Sequence, residues 1–388
     1  MTGAAAAHFF PRLTFPLSES IPRSYYLGHH HAGLREISKR LSNVGLVVEC
    51  RDYRVPLTSW NHHLDRAIAG RHRIVVYTHS DLGTDTPAAD RALRRLHASN
   101  DFSSPSGVIT GHRHPAVFWR KDKPETTRAL LSEIRSVART ADSLTGLRAL
   151  VVGMPNVGKS TLLNRLRSHG MHNARSKTSV ARVGAQPGIT RKLSTPVRIL
   201  DGRGPRRRRD PNHPNGPNHP NDPEAGNRDD SLGEGVFVLD TPGVFMPYVE
   251  RAEDMVKLAL VGSVKDEHIP THILADYLLY RMNLVDPALY ARFCDPTNDI
   301  ADLLAGVARR TGKLKAGGVV DEDAAATWAV QQWRMGNLGK FVLDDVSDET
   351  FREREQARES GGAVSLSQAR KREKELRKER SQKKQKAG

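Results

Sequence analysis

Three groups of residues in this chain have the types and spacing for phosphate chemistry. The first is Gly153-Met154-Pro155-Asn156-Val157-Gly158-Lys159-Ser160, followed by Thr161. Gly153 and Gly158 let the backbone turn and approach a ligand closely. The N–H groups of Asn156 to Thr161 can then cradle phosphates, while Lys159 reaches the β- and γ-phosphates and Ser160 offers a hydroxyl to Mg2+. A nucleoside triphosphate is the expected ligand. The second group is Asp240-Thr241-Pro242-Gly243, in which the carboxylate can hold magnesium and the Gly243 N–H can meet the γ-phosphate. Thr190, between these two, is placed to close over the same metal from a loop. Ser160, Thr190 and Asp240 are therefore the expected metal residues. Each short string alone is common; the three in order are specific.

Guanine recognition needs a carboxylate at a strand end that accepts both N–H groups of the base edge. No Lys-x-Asp follows Gly243, where it would ordinarily stand. The candidate is upstream, at Thr78-His79-Ser80-Asp81, after the apolar run Ile74 to Tyr77. That order is the signature of a circular permutation, tolerable because the termini of a compact domain lie close together at its surface.

These residues require particular elements to position them. The apolar run Leu147 to Val152 predicts a strand before the phosphate loop, with a helix after it. Val44 to Val48 and Ile74 to Tyr77 are continuous apolar runs, as in parallel strands buried on both faces. Helices are predicted near Leu64 to Ile68, Asp90 to His97 and Glu125 to Ala138, giving a βαβα alternation. A third strand lies at Val108 to Thr110 or at Ala116 to Trp119. Leu193 to Leu200 and Val236 to Leu239 read as a hairpin, and 201–234 between them, rich in Asn-Pro and His-Pro steps, reads as a disordered insertion. Its run Arg206 to Arg209 is either an RNA contact or a solvated loop. Beyond Ala252 the apolar spacing is helical, through Val256, Leu260, Ile273 to Leu279, Leu289 to Phe293, Ile300 to Val307 and Ala324 to Trp333, with Trp328 and Trp333 read as core. The fold class is thus α/β: a P-loop domain with permuted motif order, then a small all-helical C-terminal domain. The boundaries are 1–24 as a transit peptide or disordered start, 25–250 for the nucleotide domain, 251–345 for the helical domain and 346–388 for a basic tail.

Composition adds a partner class. The 388 residues contain 60 Lys and Arg against 44 Asp and Glu, a net charge of +16. Such an excess attracts polyanions through counterion release, so RNA or an anionic membrane surface is expected. Two cysteines, Cys50 and Cys294, are too few and too far apart for a disulfide framework or a zinc site. No apolar run is long enough to span a bilayer.

The motif set resembles the circularly permuted YlqF/RbgA-type ribosome-assembly GTPases, in particular their mitochondrial members. The matching residues are Gly28-His29, the run Arg51-Asp52-Tyr53-Arg54-Val55-Pro56-Leu57-Thr58-Ser59-Trp60-Asn61, the phosphate loop with Pro155-Asn156, Pro187-Gly188-Ile189-Thr190, and Asp240-Thr241-Pro242-Gly243. Gly312-Lys313, Gly317-Gly318, Asp321, Trp333 and Gly336-Asn337-Leu338-Gly339 resemble the family's helical domain, so the likeness spans about residues 25 to 345. It departs from the family at Thr78 and His79, where Asn and Lys are usual, and at Trp60, where Arg is usual. The family's Ser-Ala base-contacting loop has no recognisable counterpart in Gly107 to Asp122.

The resemblance implies a GTPase with Mg2+ and K+ as cofactors. His29 becomes the candidate for contacting the attacking water and Asn156 a residue near the potassium ion. Val244 stands where Ras-type enzymes have a water-orienting Gln. Partners implied are GTP and GDP, the large mitochondrial ribosomal subunit and its rRNA, and the matrix face of the inner membrane as a peripheral contact, for a monomer in the mitochondrial matrix. The function expected is GTP hydrolysis as a maturation checkpoint on the assembling large subunit. The alternatives are a nucleotide-binding RNA scaffold with little turnover and a cytosolic or bacterial-type factor on another RNA.

Overall fold

The computed structural model describes residues 9–17, 21–23, 37–68, 70–84, 87–98, 115–141, 143–171, 196–202, 232–244, 249, 251–360, 371, 374, 375 and 382. Six strands make one sheet: β1 (Leu46–Asp52), β2 (His72–Thr78), β3 (Ala116–Phe118), β4 (Leu147–Gly153), β5 (Val197–Asp201) and β6 (Gly235–Asp240). Their spatial order is β3-β2-β1-β4-β6-β5, parallel except for β5, which pairs antiparallel with β6. Of the two third-strand candidates, Ala116 to Trp119 supplies β3; Val108 to Thr110 lies outside the described residues.

β1, β2 and β4 carry continuous apolar runs because both faces are covered, as parallel sheets require. On one face Leu46, Val48, Cys50, Ala149 and Val151 pack with Leu130 and Ile134 of α3 (Pro124–Ala141) and Leu162 and Leu166 of α4 (Lys159–Gly170). The alternate residues Val47, Leu150 and Val152 face Leu64 of α1 (His62–Ala67), with Ile37, Ile68 and Val244. Val75 and Tyr77 pack on Leu93 of α2 (Pro87–Ala98). Each fully buried Val or Leu in these rows contributes about 1.5–3 kcal/mol relative to exposure.

The remaining helices, α5 (Ala252–Leu260), α6 (Thr271–Val285), α7 (Ile300–Thr311) and α8 (Glu322–Arg334), share an apolar cluster around Leu274, Leu278, Val307, Trp333 and Phe341. Asp299 and Asp321 cap α7 and α8 by accepting from Ala301 N (2.9 Å) and Ala324 N (3.1 Å). The cluster takes in Val55 and Met154, so it is continuous with the phosphate loop.

Three features bear on the expected boundaries. Residues 9–17, read as part of a transit peptide or disordered start, lie on α6: Arg12 pairs with Asp276 at 2.6 Å, and the Phe15 ring meets Tyr277 edge-on at 5.2 Å. Phe15, Leu17 and Ile21 supply the apolar surface that makes this packing favourable. The insertion is shorter than 201–234, because Asp201 ends β5 and Leu232 is buried; 203–231 lie outside the described residues. The segment from 346, whose sequence from Phe351 is charged and helix-compatible, begins as α9 (Asp348–Ser360), and its Phe351 and Arg354 contact the body of the protein.

Candidate nucleotide site

The phosphate loop joins the end of β4 to the start of α4, at the centre of the sheet between β1 and β6. Gly153 adopts φ +146°, and a Cβ there would sit 2.4 Å from Cys50 O, so only glycine lets β4 leave the sheet beside β1. Asn156 takes a left-handed φ of 56° and its amide donates to Gly262 O at 2.9 Å, tying the loop to the segment after α5. Ser160 and Thr161 follow Lys159 in the first turn of α4, whose N–H groups and dipole favour an anion.

The charges of this site are held under tension. Burial lowers the Lys159 pKa, and its ammonium donates to Gly153 O (3.3 Å) and Met154 O (2.7 Å). Burial also raises the Asp240 carboxyl, against the opposing pull of Lys159, the Ser160 hydroxyl and the Thr241 N–H. Ser160 Oγ donates to Asp240 Oδ2 at 2.8 Å. A hydroxyl and a carboxylate this close are hard oxygen donors of the kind magnesium takes, so the residues present fit that ion. Cys50, beneath the loop, is pushed up to about 12 by burial and stays a thiol.

Beyond Asp240 the chain returns to the loop. Thr241 Oγ1 donates to Val151 O at 2.7 Å and Val244 N to Gly153 O at 3.1 Å. Gly243 passes so near that a Cβ would meet Pro155 Cα and N at 2.5 Å. The Val244 side chain is fully buried with Val47, Leu150 and Val152, and its carbonyl accepts from Asn61 Nδ2 at 3.2 Å.

The base-reading candidates reach the loop from β2. Thr78 Oγ1 lies 2.7 Å from Val157 O and 3.1 Å from Arg51 O, a bridge from strand to loop that replaces the usual Asn. His79 has φ 55°, with Nδ1 3.3 Å from Asp52 Oδ2, and Asp52 is held far below the usual carboxylate range: Arg54 and His79 outweigh the effect of burial. Ser80 Oγ donates to Trp119 O at 2.9 Å, and Asp81 is half-buried in the turn that follows. The contact sets the turn after β3, Trp119 to Lys123, beside Thr78 to Asp81. In sequence it carried no Ser-Ala signature.

The structure thus brings together Thr78 to Asp81, Asn156 to Thr161, Asp240 and Gly243; His29 and Thr190 lie outside the described residues. Sequence reasoning gave no role to Asn61, which donates to Val244 O, or to Thr58, whose hydroxyl and N–H bind Asp344. Both stand in the Arg51 to Asn61 run, where small polar residues following a strand end were the available signal.

Comparison with known proteins decides the class. A family model described as "50S ribosome-binding GTPase" matches residues 148–283. Mitochondrial GTPase 1 of Schizosaccharomyces japonicus is 32% identical over 341 residues, covering 85% of this chain and 93% of the relative. The chain belongs to the Mitochondrial GTPase 1 family. Mitochondrial GTPase 1 of Saccharomyces cerevisiae is 29% identical, covering 87% of this chain and 84% of its own. Mitochondrial ribosome-associated GTPase 1 of Xenopus tropicalis is also 29% identical, at 86% and 98% coverage. Among solved structures, GNP-bound YlqF from T. maritima aligns with TM-score 0.46 and 19% identity over 81% of this chain and 98% of that one. As a family member the chain is a P-loop GTPase, hydrolysing GTP to GDP and phosphate, and its motif order is the permuted one.

Proposed function

We propose that this GTPase acts on the large mitochondrial ribosomal subunit in the matrix, hydrolysing GTP as a maturation checkpoint and then leaving. The observation that carries the nucleotide part is the 2.8 Å Ser160–Asp240 contact beside the buried Lys159, with Gly243 closed on Pro155. The ribosomal part is supported by the net charge of +16 and by the name of the Xenopus tropicalis relative, a mitochondrial ribosome-associated GTPase.

In this reading Asn156 to Thr161 bind the phosphates, with Lys159 turned from its loop carbonyls toward the β- and γ-oxygens. Ser160, Asp240 and Thr190 hold magnesium, which when bound neutralises charge developing between those phosphates. Gly243 offers its N–H to the γ-phosphate. Thr78, His79, Ser80 and Asp81 form the base-binding turn, with the Asp81 carboxylate accepting from guanine. The buried Val244 side chain cannot orient water, so that role goes to His29, with Asn156 beside a potassium ion. Hydrolysis is slow until the subunit orders these parts. The division into residues 25–250, 251–345 and a basic end, monomeric and peripherally touching the inner membrane, belongs to the same proposal.

Single-turnover hydrolysis with and without purified large mitochondrial subunits tests it. Acceleration on subunits is expected; intact GTP binding with no stimulation overturns the checkpoint reading. Asp81→Asn is expected to switch preference from guanosine to xanthosine triphosphate, and unchanged guanine preference refutes the base-reading role.

A further inference from the structure

The last described helix reaches the nucleotide site by a route the established chemistry does not use. Phe351 of α9 lies flat on Trp60, with ring centroids 5.9 Å apart and planes 24° apart; Trp60 in turn has the Arg51 guanidinium 4.3 Å above its ring. One turn further on, Arg354 Nη2 donates to Asp254 Oδ1 at 2.9 Å and lies 3.4 Å from Thr58 Oγ1. Thr58 also touches Asp344: its hydroxyl lies 2.7 Å from Oδ1, and the Leu57 and Thr58 N–H groups donate to Oδ2 at 2.9 and 2.8 Å. Lys257 completes the cluster at 3.4 Å from Asp344. All these contacts converge on the loop after β1, and three residues beyond Thr58 stands Asn61, fully buried, donating to Val244 O.

We propose that α9 is a positioning element of the nucleotide site: Phe351 and Arg354 fix the loop from Tyr53 to Asn61, and Asn61 holds the Asp240–Val244 loop where it receives the γ-phosphate. The Trp60 indole contacts both the Arg51 guanidinium and the Phe351 ring, so the loop is held between a strand end and α9. Asp344, distant in sequence, accepts two backbone N–H groups of this loop, and its neighbour Leu343 donates its N–H to Arg54 O at 2.8 Å. Phe351 and Arg354 touch no substrate; they act through Asn61. The effect falls on the triphosphate state, because the Asp240–Val244 loop addresses the γ-phosphate while the diphosphate is held by Asn156 to Thr161. The inference rests on that assignment of the Asp240–Val244 loop.

The test uses the full chain and measures GDP affinity, affinity for a non-hydrolysable GTP analogue, and single-turnover hydrolysis at saturating GTP. Asp240→Asn first checks the site: loss of magnesium-dependent analogue binding supports the loop assignment, and unchanged binding overturns it and this proposal together. With that in place, Arg354→Ala is expected to lower the hydrolysis rate and analogue affinity by about tenfold, within the range of typical coupling between sites, leaving GDP affinity within about twofold. Arg354→Lys, which keeps the charge, recovers part of both; Arg352→Ala, on the exposed side of α9, changes neither. Should Arg354→Ala not fold, Phe351→Ala decides, with the same selective loss expected. Wild-type rates and analogue affinity in the folded variant overturn the proposal, as does an equal loss of GDP and analogue binding, which is what general damage to the fold produces.

Discussion

A methyl group is the smallest probe of how closely the Asp240–Val244 loop approaches the phosphate loop. Gly243→Ala sets a Cβ 2.5 Å from Pro155 backbone atoms, which cannot move without displacing Asn156 and Val157. The loop must therefore lift, at a cost of about 1–3 kcal/mol. Urea denaturation is expected to register that loss, and GTP-analogue affinity to fall more than GDP affinity. Asp240 behaves oppositely. Its folded pKa is raised by burial, so its charge opposes folding at neutral pH, and that penalty fades as pH falls and the carboxyl protonates. Asp240→Asn is expected to leave the nucleotide-free protein as stable as wild type or about 1 kcal/mol more so, in thermal melts at pH 7, while abolishing magnesium-dependent GTP binding. The carboxylate is kept for its ligand rather than for the fold.

Among the elements, the loop after β1 is the one most dependent on distant partners. Asp344→Ala removes the acceptor of the Leu57 and Thr58 N–H groups and leaves Lys257 facing only Glu253, at 3.3 Å. Breaking a buried pair in this way costs about 3–5 kcal/mol, measurable as a lower urea midpoint. Burial alone would raise the Asp344 carboxyl, yet Lys257, Arg354 and the Thr58 bonds outweigh it and lower its pKa. Its contribution is therefore complete above the ordinary carboxylate value near about 4 and disappears as pH falls through the lower folded value. The stability gap between wild type and Asp344→Asn should begin to narrow below pH about 4 and close as pH falls through the lower folded value. What was legible in sequence follows from these contacts. β1, β2 and β4 were plain because each is apolar on both faces, and the phosphate loop because its glycines are demanded locally. The helical character of α9 was legible, but its docking was not: Asp348 to Ser360 are mostly charged, and the two residues that dock, Phe351 and Arg354, make no periodic stripe. The clamp on Trp60 and the Asp344 contacts join residues nearly 300 positions apart, and no local pattern records such a pairing. The turn Trp119 to Lys123 was missed for a related reason: its role lies in a backbone carbonyl, Trp119 O, which any residue supplies.

At the scale of the whole molecule, the net charge of +16 bears on the proposed association. Large-subunit binding is expected to weaken steeply between about 50 and 200 mM salt, and truncation after Ser360, which removes the run from Arg370, to flatten that slope in pelleting assays. An unaltered slope would show that other basic surface carries the contact. The strand order matters in time as well as in space. β4 sits between β1 and β6, strands whose first residues, Leu46 and Gly235, stand far apart along the chain. A polypeptide emerging N-terminus first exposes the base-reading turn early, then the phosphate loop, and only much later the strand carrying Asp240. In an unpermuted GTPase the phosphate loop comes first and the base-reading strand late. On the proposed site assignment, a nascent or partly threaded chain has no metal carboxylate and an uncovered flank on β4 until β6 has been made. Capture of the triphosphate then waits on β6, and a triphosphate-bound molecule is one whose entire sheet has already arrived.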